Sequence, residues 1–147
     1  MQNGADILDE AETVIAAAGS QADIQLVRRT GAPPLRIRGR KVCEHALGGA
    51  DADLWIGLWR LARSGFVVHC AVPVSGGARV VAARATGLEA AGEWLEGQCA
   101  ELLTAPVEGG SDLIAVLHGQ HFKWRVERFL QLAGRSMSAW PAKVRDL

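Results

Sequence analysis

The stretch Leu54-Trp55-Ile56-Gly57-Leu58-Trp59 decides the fold. Its period of two is that of a β-strand, where successive side chains point to opposite faces of a sheet. Both alternating sets are apolar: Leu54, Ile56 and Leu58 on one side, Trp55 and Trp59 on the other. A strand with one wet face would carry polar residues on it, so this segment reads as a central strand covered on both sides.

Working outward, Arg63-Ser64-Gly65 reads as a turn and Phe66 to Val74, rich in β-branched residues, as the next strand. Pro73 has no amide hydrogen and marks the loss of a ladder partner near the strand's end. Ser75-Gly76-Gly77 then forms a hairpin turn into a strand at Val80 to Ala85. On the other side, Leu35 and Ile37 alternate with Arg36, Arg38 and Arg40, the pattern of a half-buried strand that runs to Ala46 and stops at Gly48 and Gly49. Gly31-Ala32-Pro33-Pro34 must be extended or turned, because proline excludes helix at itself and at the residue before it. Ile24 to Val27 is a short candidate strand. The middle of the chain is therefore expected to be a meander of three to four antiparallel strands.

Helices flank it. Ile7, Leu8, Ala11, Val14, Ile15 and Ala18 form a helical stripe over residues 5–18, opposite Asp9, Glu10 and Thr13, with Gly19 as a stop. Thr86-Gly87-Leu88-Glu89 matches a capping box, opening a helix whose buried stripe is Leu88, Ala91, Leu95, Cys99 and Leu102, ended before Pro106. Glu89, Glu93 and Glu96 fall on its solvent face. Ser111 can cap a second helix, in which Leu113, Leu117 and Trp124 share one face while Phe122, Val126, Phe129, Leu130 and Ala133 share another. That change of side near Gly119 implies a kink, a break, or a helix gripped on two sides. Residues 136–147 carry no clear period and read as a tail. The expected class is α+β in two layers: an antiparallel β-meander, one N-terminal helix and two C-terminal helices, in a single domain over 1–147. Parallel βαβ nucleotide folds are disfavoured by this element order.

Composition agrees with one domain: 147 residues, of which 49% are hydrophobic and 22% charged, are too few for two-domain enzymes. No basic n-region precedes an apolar run and no window is long enough to span a bilayer, so a soluble, cytoplasmic protein without membrane contact is expected. Cys43, Cys70 and Cys99 are an odd set without CxxC spacing and read as buried free thiols.

The segments Leu35-Arg36-Ile37-Arg38-Gly39-Arg40-Lys41-Val42 and Leu58 through His69 resemble the strand pair of a small bacterial family, the EXLDI proteins, over roughly residues 26–95. Fuller members of that family resemble DNA-binding regulators at their N-terminus. The acidic N-terminal stripe here does not match that part, so the resemblance implies neither a DNA-binding role nor a catalytic residue.

Sixteen basic and sixteen acidic side chains cancel overall but are segregated along the chain. Residues 1–25 hold five acids and no base, 28–41 six bases and no acid, 86–112 six acids and no Lys or Arg, and 118–145 six Lys or Arg against one Glu. The plain reading is mutual neutralisation within the fold or a dimer, through surface pairs worth about 0 to 1 kcal/mol each. The sharper reading joins Arg36, Arg38 and Arg40 to Trp55 and Trp59: on one sheet face they would offer guanidinium groups for phosphates beside indoles for stacking bases. Trp124 and Arg128, on the last helix, are further candidate contact residues for a partner or nucleic acid.

For metal, Cys43 with His45, His69 with Cys70, and His118 with His121 are the available pairs, and none has structural zinc spacing, so no metal or cofactor is expected. His45 or His69 could serve Cys43, Cys70 or a serine as a base, but no GxSxG, Walker, GxGxxG or HExxH motif is present. The leading expectation is a non-catalytic macromolecular interaction or regulatory module, pairing with itself as a homodimer or with a protein partner. The alternatives are single-stranded nucleic-acid or RNA binding through an Arg/Trp sheet face, and a small enzyme with a noncontiguous His/Cys pocket.

Overall fold

The computed structural model describes residues 24–104 and 112–147. The expected N-terminal helix over 5–18 lies outside the described residues. Five antiparallel strands follow in meander order: β1 (Ile24–Arg29), β2 (Ala32–Ala46), β3 (Trp55–Leu61), β4 (Phe66–Val74) and β5 (Gly77–Ala85). Two helices complete the chain, α1 (Leu88–Thr104) and α2 (Leu113–Arg145), giving an α+β fold with C-terminal helices. The sheet has one strand more than the upper expectation. The segment at Ile24 is a full strand, held by the first half of the fifteen-residue β2, while the second half of β2 pairs with β3.

That division of β2 curls the sheet. Its register slips between Lys41 and Cys43, a bulge of the kind that bends a strand. Beyond the bend the β1–β2 hairpin swings over the sheet until the turn after β1 reaches β5. There the Thr30 amide donates to the Val80 carbonyl at 2.9 Å and the Val80 amide donates to Thr30 Oγ1 at 2.8 Å. Two positions show why glycine is required. A Cβ on Gly39 would overlap the Arg60 carbonyl where β2 crosses β3, and Gly65 turns at φ +91°, where a Cβ would also run into the Ala85 carbonyl.

The curl produces two cores. On the outer face Ile56, Leu58, Val68, Cys70 and Val72 pack against Ala91 and Leu95 of α1 and Phe129, Leu132, Ala133 and Trp140 of α2. Each aliphatic or Phe side chain fully buried here contributes roughly 1.5 to 3 kcal/mol. Inside the curl, Val27, Ile37 and Val67 form a smaller cluster with Leu35, Trp59, Leu61 and Ala82. The strand at 55–61 is thus central and covered on both sides, as its sequence requires. Pro73 behaves as read: β3 pairs with β4 only as far as Ala71, and beyond that β4 has only β5 beside it.

α2 differs from expectation in three ways. Asp112 is the N-cap, its carboxylate accepting from the Ala115 amide at 2.8 Å; Ser111 lies outside the described residues. The helix runs unbroken past Gly119, and no described residue grips the second apolar face of its first half. It also continues to Arg145, so residues 136–145 are not a tail: Ser136 and Trp140 are buried and Pro141 is accommodated within the helix. Ser136, Trp140 and Val144 repeat at a spacing of four, which places them on the core face, a period hidden by its single apolar contact per turn.

Candidate interaction surface

The two halves of α2 have opposite fates. From Arg125 to Trp140 one face is core. From Leu113 to Trp124 the helix passes beyond the sheet, and its large apolar side chains are open to solvent: Leu113 71%, Ile114 66%, Leu117 51%, Trp124 46% and Val116 43% exposed. Phe122 is half-buried at the point where the helix meets the body of the protein. The two stripes visible in the sequence are therefore one stripe that grips the sheet and one that nothing among the described residues covers. Beside the free stripe, the start of α2 stands off from the end of α1 and the β4–β5 hairpin. This leaves a cleft of about 580 Å³ lined by Val72, Pro73, Leu102, Ile114, Ala115 and Phe122 among others.

A polar latch anchors the helix where this half begins to leave the core. Arg125 is buried, and its Nη1 donates to Asp51 Oδ1 at 3.0 Å and to Asp53 Oδ1 at 3.1 Å. Its Nη2 donates to Asp53 Oδ2 at 3.0 Å and to the Gly77 carbonyl at 2.9 Å. Arg128 Nε lies 3.2 Å from Asp51 Oδ2, and its guanidinium sits 5.0 Å above the Trp124 ring. One guanidinium fork thus ties the 49–53 loop, the β4–β5 hairpin and α2 together. The hydrogen bond from Arg125 holds the Asp53 carboxyl below its ordinary range and raises the Arg125 pKa in turn. No sequence motif marks this cluster. Its signal was a lone arginine between Phe122 and Phe129 on an otherwise apolar helix face, where a cation needs a buried anion.

The sheet separates the residues of the expected Arg/Trp platform. Directly opposed residues of antiparallel strands share a face. Lys41 opposes Trp59, Arg40 opposes Arg60, and the Lys41 ammonium lies 5.2 Å from the Trp59 ring. Trp55 and Trp59 therefore lie on the inner side of the curl, and Arg36, Arg38 and Arg40 on the outer side. Trp55 meets His69 edge-on at 4.5 Å. The Trp59 indole N–H is enclosed without an acceptor among the described residues. The combined face of guanidinium groups and indoles does not form.

The His and Cys candidates are equally dispersed. His69 faces the inside of the curl and Cys70 the helices, as strand alternation demands. His69 Nε2 lies 3.0 Å from the Arg28 carbonyl, which can only accept, so Nε2 carries the hydrogen. Burial pushes the His69 pKa down to about 4. Burial also raises all three thiols, Cys70 to about 12, which suppresses thiolate chemistry near neutral pH. His45 Nδ1 is 3.5 Å from Ser136 Oγ, and Ser136 has no solvent access. His118 and His121 border a second cleft, of about 440 Å³, together with Asp53 and Arg125. No group of three or more metal-ligating side chains occurs among the described residues. No helix among them is long and apolar enough to cross a membrane.

No family model, curated protein or solved structure matches this chain.

Proposed function

We propose that the protein is a non-catalytic interaction module that pairs with a second copy of itself through the first half of α2. The observation that carries this is the row of large apolar side chains left open along Leu113–Trp124, about 18 Å of helix at 1.5 Å per residue. An exposed apolar row of this kind marks an interface more often than a bare surface.

The spacing argues for self-pairing. Leu113, Leu117, Gln120 and Trp124 follow one another at intervals of four, three and four, the seam of a two-helix contact, with one polar residue of the sort that sets register. The charges favour an antiparallel arrangement. The acid of this half-helix is Asp112, at its start, whereas Lys123 lies at its far end, so opposed copies bring each Asp112 toward the other copy's Lys123 and oppose the helix dipoles. Leu113 then meets Trp124 of the second copy, and Leu117 meets Gln120.

Light scattering on a size-exclusion column tests this. The wild type should elute at twice the 15.6 kDa chain mass. Leu117→Glu, a change at a residue outside either core, should elute as a folded monomer with an unchanged circular dichroism spectrum. A wild-type monomer, or a dimer indifferent to Leu117→Glu, contradicts the reading.

A further inference from the structure

The outer surface of the β1–β2 hairpin carries a second uncovered feature, unrelated to α2. Leu26 opposes Arg36, Ile24 opposes Arg38 and Arg40 opposes Arg60, so these six side chains share one face across three strands. Arg28, Arg36, Arg38, Arg40 and Arg60 are all exposed, and so is Leu26 at 40%. No Asp or Glu occurs between residues 24 and 43. Arg28, Arg36, Arg40 and Arg60 have no carboxylate partner among the described residues. Like charges directly opposed across a strand pair, such as Arg40 and Arg60, destabilise the sheet unless an anion lies over them.

We propose that this face is the docking site of the chain's own N-terminal segment, residues 5–18. The chemistry is complementary: the face is basic with apolar residues along one edge, and the segment is apolar with acidic flanks. On the helical wheel Glu10 and Glu12 border the Ile7, Leu8, Ala11, Val14, Ile15 and Ala18 stripe on opposite sides, with Asp6 and Asp9 beyond them. Docked on its stripe, the segment covers Ile24, Leu26 and the aliphatic stems of the arginines while its carboxylates reach the guanidinium groups. Connectivity places it there. Ile24, the first residue of β1, lies opposite Arg38, so the segment is tethered to a strand end next to the arginine row. Residues 5–18 at helical rise span about 21 Å, more than the roughly 13 Å from Arg36 to Arg40 along a strand. The acids of the first 25 residues and the bases of 28–41 thereby neutralise one another, and a polyanion could occupy the face only by displacing the segment.

Hydrogen exchange read by mass spectrometry on the full chain tests this. Amides of residues 5–18 should be protected in the wild type, and at least tenfold less protected in Arg36→Glu/Arg40→Glu and in Glu10→Lys/Glu12→Lys. Combining the four changes should restore protection. Because the Glu10 and Glu12 changes touch no described strand, a misfolded sheet cannot produce both losses. Leu117→Glu should leave these amides unaffected. Protection that survives both charge reversals, or that disappears in Leu117→Glu, overturns the proposal. So does an unprotected wild-type segment together with arginine-dependent, salt-sensitive binding of a fluorescein-labelled single-stranded oligonucleotide, which would assign the face to nucleic acid.

Discussion

His69 shows how one side chain couples the curl of the sheet to pH. Its ring lies against Trp55 and donates to the Arg28 carbonyl, so it bridges β4 and the hairpin folded over it. Burial, aided by the Lys41 and Arg28 charges, outweighs the opposing pull of the Arg28 carbonyl and of Glu44. With its folded pKa near 4 against an ordinary 6.5, the unfolded chain takes up the proton first. The stability it contributes is complete above about pH 6.5 and is lost as pH falls toward 4. The ring keeps some hydration, so the loss should be about 2 kcal/mol rather than the full shift at about 1.4 kcal/mol per unit. Urea midpoints measured across this range should fall in the wild type. They should stay nearly flat in His69→Gln, whose amide can still donate to Arg28. Equal slopes would mean that another group titrates there. Asp53, with its lowered pKa, acts in a separate window below about pH 4.

Among the elements, α2 is the one whose sequence was only half legible. The helix itself and the change of apolar face near Gly119 could be read from periodicity, but periodicity reports that a face is apolar and not what covers it. The second half packs on the sheet. The first half extends beyond Arg125, whose four hydrogen bonds tie a loop, a hairpin and the helix together. Arg125→Ala leaves the carboxylate of Asp51, 2% exposed, buried without its main partner, and should cost about 3 to 5 kcal/mol in denaturant titration. Asp53→Ala removes a carboxylate that is 46% exposed and should cost about 1 kcal/mol or less. Equal losses would show that the latch does not depend on the buried pair. The strands were more legible, since Trp55–Leu61, Phe66–Val74 and the Ser75-Gly76-Gly77 turn each announce themselves within a few residues. The fifth strand was harder to see. Ile24–Arg29 owes its place to a bend in β2 at Lys41 to Cys43, a long-range event that leaves no mark in local alternation. The Arg/Trp platform failed at the same level. Alternation along β2 and β3 was read correctly, but register decides which alternating sets coincide, and here it paired Arg40 with Arg60 and Lys41 with Trp59.

At the scale of the whole molecule, a curled sheet and two helices bury one set of apolar faces completely and leave two surfaces without a cover among the described residues. The apolar stripe of α2 calls for an apolar partner and the arginine face for an anionic one, and they are separate surfaces. In the proposed reading a second copy covers the first and the chain's own acidic segment the second, which would also account for a chain with no net charge having such sharp charge blocks. The central claim is the antiparallel pairing of α2, and oxidative cross-linking tests it most directly. In a mixture of Leu117→Cys and Gln120→Cys chains the new thiols should meet across the two-fold seam. The mixture should form a covalent heterodimer within minutes of adding oxidant, whereas Gln131→Cys, exposed on the half of α2 that packs on the sheet, should remain monomeric on a non-reducing gel. A mixture that cross-links no better than Gln131→Cys would contradict the account.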